Sequence, residues 1–131
     1  MKIKGLDHFN IVANAGDIER VIQFYCELLG FEEGPRPDFP FAGAWLYKNN
    51  RPLIHLVTAD GADQPQPALR QTTTGCLHHL AFDCEGFDGY RALLEKHNIE
   101  YLHETVDGWN IEQLFLHDPA GMRIELNFKN G

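Results

Sequence analysis

The chain has 131 residues, 44% apolar and 23% charged, with a formal net charge of −8 at pH 7. That length suits one domain with a real core and excludes two independent ones. The acidic balance argues against nucleic acid or anionic membrane as partner, since both are bound by basic patches, and leaves a small molecule as the expected partner.

No apolar run approaches the roughly 18 residues of a transmembrane helix, and the start from Met1 to Asp7 lacks the apolar core of a signal peptide, so a cytoplasmic protein is expected. Cys26, Cys76 and Cys84 are odd in number and show no C-x-x-C spacing. They are read as ordinary reduced thiols rather than a disulfide framework or a thiolate zinc site.

In chain order, residues 3–13 alternate as a strand, with Leu6, His8, Asn10 and Val12 on one face and Phe9 and Ile11 on the more apolar one. Asp17 is the expected N-cap of a helix through Ile18, Val21, Ile22, Tyr25, Leu28 and Leu29, which Gly30 ends. Phe31 to Arg36 suggests a short strand, stopped by the Pro35 to Pro40 region. Ala44 to Lys48 and Leu53 to Val57 read as a hairpin around Asn49-Asn50-Arg51-Pro52, with His55 sharing a face with Leu53 and Val57.

From Asp60 to Gly75 the composition shifts to Gly, Pro, Gln, Asp and Thr, which marks a connection. Leu77 to Cys84 is the next strand. A helix from near Asp88 to near Asn98 then carries Phe87, Tyr90, Leu93, Leu94 and His97 on one stripe. Strands are expected at Glu100–Thr105, Ile111–His117 and Met122–Phe128, the last two joined by the turn Asp118-Pro119-Ala120-Gly121.

The order is therefore βαβββ twice: module one over 1–59, a linker over 60–75, and module two over 76–131, within a single domain 1–131. The landmarks repeat at nearly constant offset, His8 with His79, Asp17 with Asp88, and His55 with Glu125. Neither half can bury its sheet alone. The expected class is α+β, the two modules forming a cupped mixed sheet with helices outside.

Symmetry of that kind brings equivalent positions together. If His8, His55, His79 and Glu125 project into the concave side, three imidazoles and a carboxylate converge, a donor set suited to a divalent transition metal such as Zn, Ni, Co, Mn or Fe. A lone strand histidine is more often a core or surface residue; the case here rests on four ligand-type residues at symmetry-related positions. The pleat selects His79 over His78, because His78 shares a face with Leu80 and Phe82, the expected helix-packing side. In the last strand Arg123, Glu125 and Asn127 share the polar face. His97, His103 and His117 are left as helix-end, strand and turn residues.

Leu6-Asp7-His8-Phe9-Asn10-Ile11, the helix ending Phe24-Tyr25-Cys26-Glu27-Leu28-Leu29-Gly30-Phe31, His79-Leu80-Ala81-Phe82, and Asp118-Pro119-Ala120-Gly121 running into Ile124-Glu125-Leu126 resemble the vicinal oxygen chelate superfamily. That group includes glyoxalase I, methylmalonyl-CoA epimerase, extradiol dioxygenases and the fosfomycin- and bleomycin-resistance proteins. The resemblance covers essentially the whole chain. It implies paired βαβββ modules cupped around a metal that keeps positions open for two vicinal substrate oxygens, with ligands at His8, His55, His79 and Glu125. It also implies a homodimer.

By the same resemblance the reaction is that of a glyoxalase-like lyase or isomerase, acting on a small carbonyl compound through metal-stabilised enolate chemistry. Glu125 would be ligand and base, with His55 as a second catalytic group. His55 departs from the carboxylate usual there in glyoxalase I. The first alternative is a non-haem Fe(II) extradiol-type dioxygenase, because His8, His79 and Glu125 alone make a 2-His-1-carboxylate triad. The second is a non-catalytic, ligand-sequestering protein of the resistance type. Trp45, Tyr47 and Phe115 are candidates to line the cup, and Arg36 and Arg51 to meet an anionic substrate.

Overall fold

The computed structural model describes residues 1–2, 4–58 and 77–129. The linker expected over 60–75 and Cys76 lie outside the described residues. The chain divides into two units, Met1–Arg70 and Gln71–Gly131.

In the first unit, β1 (Phe9–Ala13) leads to α1 (Ile18–Gln23), a wider π-helical turn (Phe24–Leu28), and then β2 (Glu32–Gly34), β3 (Gly43–Lys48) and β4 (Arg51–Thr58). The sheet order is β1-β4-β3-β2, with β1 parallel to β4 and the other pairs antiparallel. Ile11 and Ala13 bury one face of β1, and Ile18, Val21, Phe24, Tyr25, Leu28 and Leu29 bury the helical stretch. The π turn adds a residue to the helical period, so that adjacent Phe24 and Tyr25 both enter the core, at a site where regular spacing would choose Ile22. Gly30 closes the stretch at φ +76°, a conformation a side chain would resist.

The second unit repeats the plan with β5 (Leu80–Cys84), α2 (Phe87–Lys96), β6 (Leu102–Val106), β7 (Ile111–His117) and β8 (Arg123–Lys129). Its order is β5-β8-β7-β6, again with one parallel pair, β5 to β8. The Phe87 and Tyr90 rings of α2 pack on Phe128 of β8 at centroid distances of 5.5 and 5.7 Å. Leu80, Leu94, Leu114, Leu116, Ile124 and Leu126 complete the apolar layer.

Several local expectations are corrected. The first strand begins at Phe9, not at residue 3, and the second module's first strand at Leu80, not Leu77, so His8 and His79 each stand one residue ahead of the paired strand. The β1 ladder opens at Phe9↔Ile54, and upstream of it the Leu6 carbonyl accepts from Arg51 Nη2 at 2.8 Å in place of a ladder amide. Asp17 holds the N-cap position, but its carboxylate takes the Arg20 guanidinium rather than capping a first-turn amide. The hairpin turn is only Asn49-Asn50, both at positive φ, and Arg51 and Pro52 belong to β4. Pro52 is accommodated where the register slips between Leu46 and Tyr47.

Candidate metal centre

The two parallel ladders set up each half of the donor set in the same way. In the first unit Asn10 registers with His55, and in the second Ala81 registers with Glu125. His8 lies two residues before Asn10, and His79 two before Ala81. A two-residue step keeps a side chain on the same pleat face, so each unit places its histidine beside its second donor. Opposite faces carry the core: Ile54 and Leu56 flank His55, and Ile124 and Leu126 flank Glu125, all four buried.

The first unit assembles an aromatic stack. Trp45, across the ladder from His55, lies on its imidazole at 3.9 Å with planes 8° apart, and His8 covers the other face at 3.8 Å and 13°. His55 Nε2 is buried and has no hydrogen-bond partner among the described residues. Burial first, and the adjacent His8 second, push the His55 pKa down, against the opposing hydrogen bond to the Pro52 backbone and the charge of Asp7. A neutral ring with a bare in-plane nitrogen is what a divalent cation requires of imidazole. The His8 and His55 lone pairs run in nearly parallel planes, so joint coordination requires one ring to rotate out of the stack.

The second unit assembles a polar rung. Gln113 Nε2 donates to Asn127 Oδ1 at 3.2 Å, and Asn127 Nδ2 donates to Glu125 Oε2 at 2.6 Å. Glu125 is 8% exposed, and its other oxygen, Oε1, lies 3.7 Å from His79 Nε2. That separation exceeds a hydrogen bond. It lies within the limit of about 4.2 Å for two atoms each about 2.1 Å from one ion. The entry to β8 is set by Asp118, whose buried Oδ1 accepts from the amides of Ala120 at 2.8 Å and Met122 at 2.9 Å, with Gly121 at φ +95°.

In both units the residue just before the histidine binds its Nδ1. Asp7 Oδ2 meets His8 Nδ1 at 2.6 Å, and His78 Nδ1 meets His79 Nδ1 at 2.8 Å. Each contact engages Nδ1 and leaves Nε2 as the outward nitrogen, the part played by outer partners of metal-binding histidines. The hydrogen bond to His8 also holds the Asp7 carboxyl below its ordinary pKa. His78 is exposed and turned to its neighbour, not packed on the helix side as its pleat position suggested.

Of the four residues singled out from sequence, His8 and His55 are thus brought together, and so are His79 and Glu125. Among the described residues no group of three or more His, Cys, Asp or Glu is placed to hold an ion. The donor chemistry fits a divalent metal nonetheless, on the bare His55 Nε2 and the buried, half-occupied Glu125 carboxylate. Asp7, His78, Asn127 and Gln113 were not singled out as partners. The 71-residue spacing of Asp7 and His78 was a legible signal for the first two. Arg36 and Arg51 spend their guanidinium donors on backbone carbonyls, of Phe41, Gly43 and Leu6, and Tyr47 Oη donates to the Pro35 carbonyl. His103 binds Glu112 at 2.5 Å. No helix among the described residues is long and apolar enough to cross a membrane.

Comparison with known proteins places the chain in a family. The sequence model of the Glyoxalase/Bleomycin resistance protein/Dioxygenase superfamily matches residues 5–126. A curated relative, Glyoxylase I 4 of Arabidopsis thaliana, is 30% identical over 130 residues, covering 96% of this chain and 71% of its own. A solved structure assigned to the glyoxalase family, from Bacillus anthracis, is 28% identical with a TM-score of 0.74, covering 99% of this chain and 98% of that one. The fosfomycin resistance protein FosX of Listeria monocytogenes is 16% identical with a TM-score of 0.75, covering 98% and 96%, and shares the fold. The α+β architecture expected from the repeat is the glyoxalase-like fold.

Proposed function

The chain belongs to the Glyoxalase/Bleomycin resistance protein/Dioxygenase superfamily, and from that premise we propose that it is a metal-dependent enzyme of the vicinal oxygen chelate type. In this reading it is a glyoxalase-like lyase or isomerase for a small carbonyl compound, working as a homodimer. His8, His55, His79 and Glu125 are the donors for one divalent ion, of the Zn, Ni, Co, Mn or Fe group. The observation that carries the reading is the matched register, Asn10↔His55 and Ala81↔Glu125, which sets a donor pair on the same pleat face of each unit.

When bound, the metal supplies Lewis-acid stabilisation of negative charge developing on a substrate oxygen. The chain's own groups do the rest. Asn127 holds Glu125 Oε2 and so orients the carboxylate that would take a proton from the carbon beside the carbonyl. His55, held neutral by burial, is the second catalytic group of this reading, able to accept a proton when its Nε2 is not engaged by the ion. The Trp45–His55–His8 stack forms a flat wall against which a small planar substrate can lie.

The test begins with metal content. The purified protein is expected to hold about one divalent ion per chain and His79→Ala or Glu125→Ala to lose it; full occupancy in both variants would sink the assignment. Turnover of a hemithioacetal or 2-oxo thioester without oxygen, with Ni, Co or Zn, supports the isomerase or lyase. Oxygen uptake on a catechol panel with Fe(II) alone replaces it with the dioxygenase, and ligand binding without turnover replaces it with a sequestering protein.

A further inference from the structure

Four of the five arginines of the described residues place guanidinium nitrogens on an acceptor within the chain, although the Nε of Arg36 is itself buried without one. Arg20 binds Asp17, Arg36 the carbonyls of Phe41 and Gly43, Arg51 the carbonyl of Leu6, and Arg91 the hydroxyl of Tyr101. Arg123 has no such partner among the described residues. Its Nε is buried without an acceptor among the described residues, and its guanidinium carbon sits 5.1 Å above the centre of the Phe115 ring. Buried donors of that sort are rare in native proteins unless something outside the chain meets them.

Position gives the orphan its meaning. Arg123 and Glu125 share one pleat face of β8 two residues apart, about 7 Å along the strand. Phe115 is registered opposite Glu125 and lends its ring to the guanidinium. The nearest carboxylate along the strand is already committed, since Glu125 Oε2 takes the Asn127 amide and Oε1 faces His79. In a chain of net charge −8, a cation on this face without a carboxylate partner is not a by-product of surplus basic residues. The guanidinium fork held over the ring has the geometry to meet a carboxylate or phosphonate two-pronged.

We propose that Arg123 with Phe115 forms an oxyanion subsite, so that the substrate is an anionic carbonyl compound whose carboxylate or phosphonate meets the guanidinium while its reacting group is handled at Glu125. This deepens the functional reading above and rests on it only for what happens at Glu125. It also gives β8 two tasks on one face, reaction at Glu125 and recognition one pleat earlier.

The test follows the Arg123 Nε–H resonance in the full chain while pyruvate, methylphosphonate and the neutral ester methyl pyruvate are added. Both anions, or one of them, are expected to move it and methyl pyruvate to leave it in place; which anion acts identifies carboxylate or phosphonate as the preferred group. Arg123→Gln should weaken anion binding about tenfold or more, and Arg123→Lys, which keeps the charge, should retain part of it. Anion affinities unchanged in both variants, or a resonance indifferent to both anions, overturn the proposal. Zinc uptake measured on the same samples separates the two readings. Zinc bound with no anion effect removes the subsite alone, whereas an intact anion effect with no zinc uptake removes the metal-enzyme reading alone.

Discussion

The first unit surrounds its donors with rings, and the second surrounds its donors with amides. On one side Trp45, His55 and His8 lie nearly parallel, and the buried His55 nitrogen faces no partner among the described residues. On the other, Gln113, Asn127 and Glu125 form a chain of hydrogen bonds ending on a carboxylate. The backbone ladders beneath are equivalent, Trp45↔His55 matching Phe115↔Glu125 across a gap of 70 residues. A repeat therefore conserves where side chains stand and not what they do. The stack of the first unit shapes a surface, while the rung of the second ends on the carboxylate of Glu125.

The comparison breaks most completely at Glu125. Glu125→Ala removes the one anionic member of the proposed donor set and should cost more metal affinity than the roughly 10–100-fold lost with an outer partner, as read by competitive chelation. Asn127→Ala tests the rung itself. It strips Glu125 Oε2 of its amide donor, and about 1–3 kcal/mol of stability and a 10–100-fold loss in metal affinity are expected, from chemical denaturation and the same chelation assay.

Trp45→Ala should sharpen the contrast by making the first unit less dry. Burial is the main reason the His55 pKa is depressed, so removing the indole should let it rise toward the ordinary histidine range in an NMR titration. The sign for stability follows. With a folded pKa below the unfolded one, the unfolded chain binds the proton first on acidification. His55 thus contributes stability above the unfolded value that is lost as pH falls through the folded one, and this acid sensitivity should shrink in Trp45→Ala. The smallest effects belong to Asp7→Ala and His78→Ala. Each frees an exposed histidine Nδ1, and up to about a tenfold loss of metal affinity is expected from either. A loss confined to one variant would show that the two histidines are not oriented by the same device.

Much of this was legible in the residues. Ile11 faced the core as alternation implied, the helical stretch of α1 and the π turn closed at Gly30, and Ile124, Leu126 and Phe128 formed the apolar face of β8, leaving Glu125 on the other. What escaped was decided by contacts that pattern does not encode. Strand starts at Phe9 and Leu80 depend on where the partner ladder opens, so His8 and His79 lie just outside strands that alternation extends across them. Asp17 kept its capping position while its carboxylate went to Arg20, a competition between two local partners that composition cannot settle. The Trp45–His55 stack and the orphaned nitrogens of His55 and Arg123 arise from cross-strand packing. Trp45 and Arg123 could be placed on a face from sequence, but their contacts could not.

The parallel pairing of first and last strands has a consequence for time. Phe9 meets Ile54 from 45 residues away, and Leu80 meets Ile124 from 44, whereas the hairpins β3–β4 and β7–β8 close over short turns. Long closures are slow to form, so in each unit the strand that follows the histidine docks after the hairpin is made. His8 then joins His55, and His79 joins Glu125, only in the last step of assembly. An ion held by these residues acts as a latch on the final closure: it should lengthen the lifetime of the folded chain and leave the rate of hairpin formation unchanged, a split that stopped-flow refolding and unfolding with and without zinc can resolve.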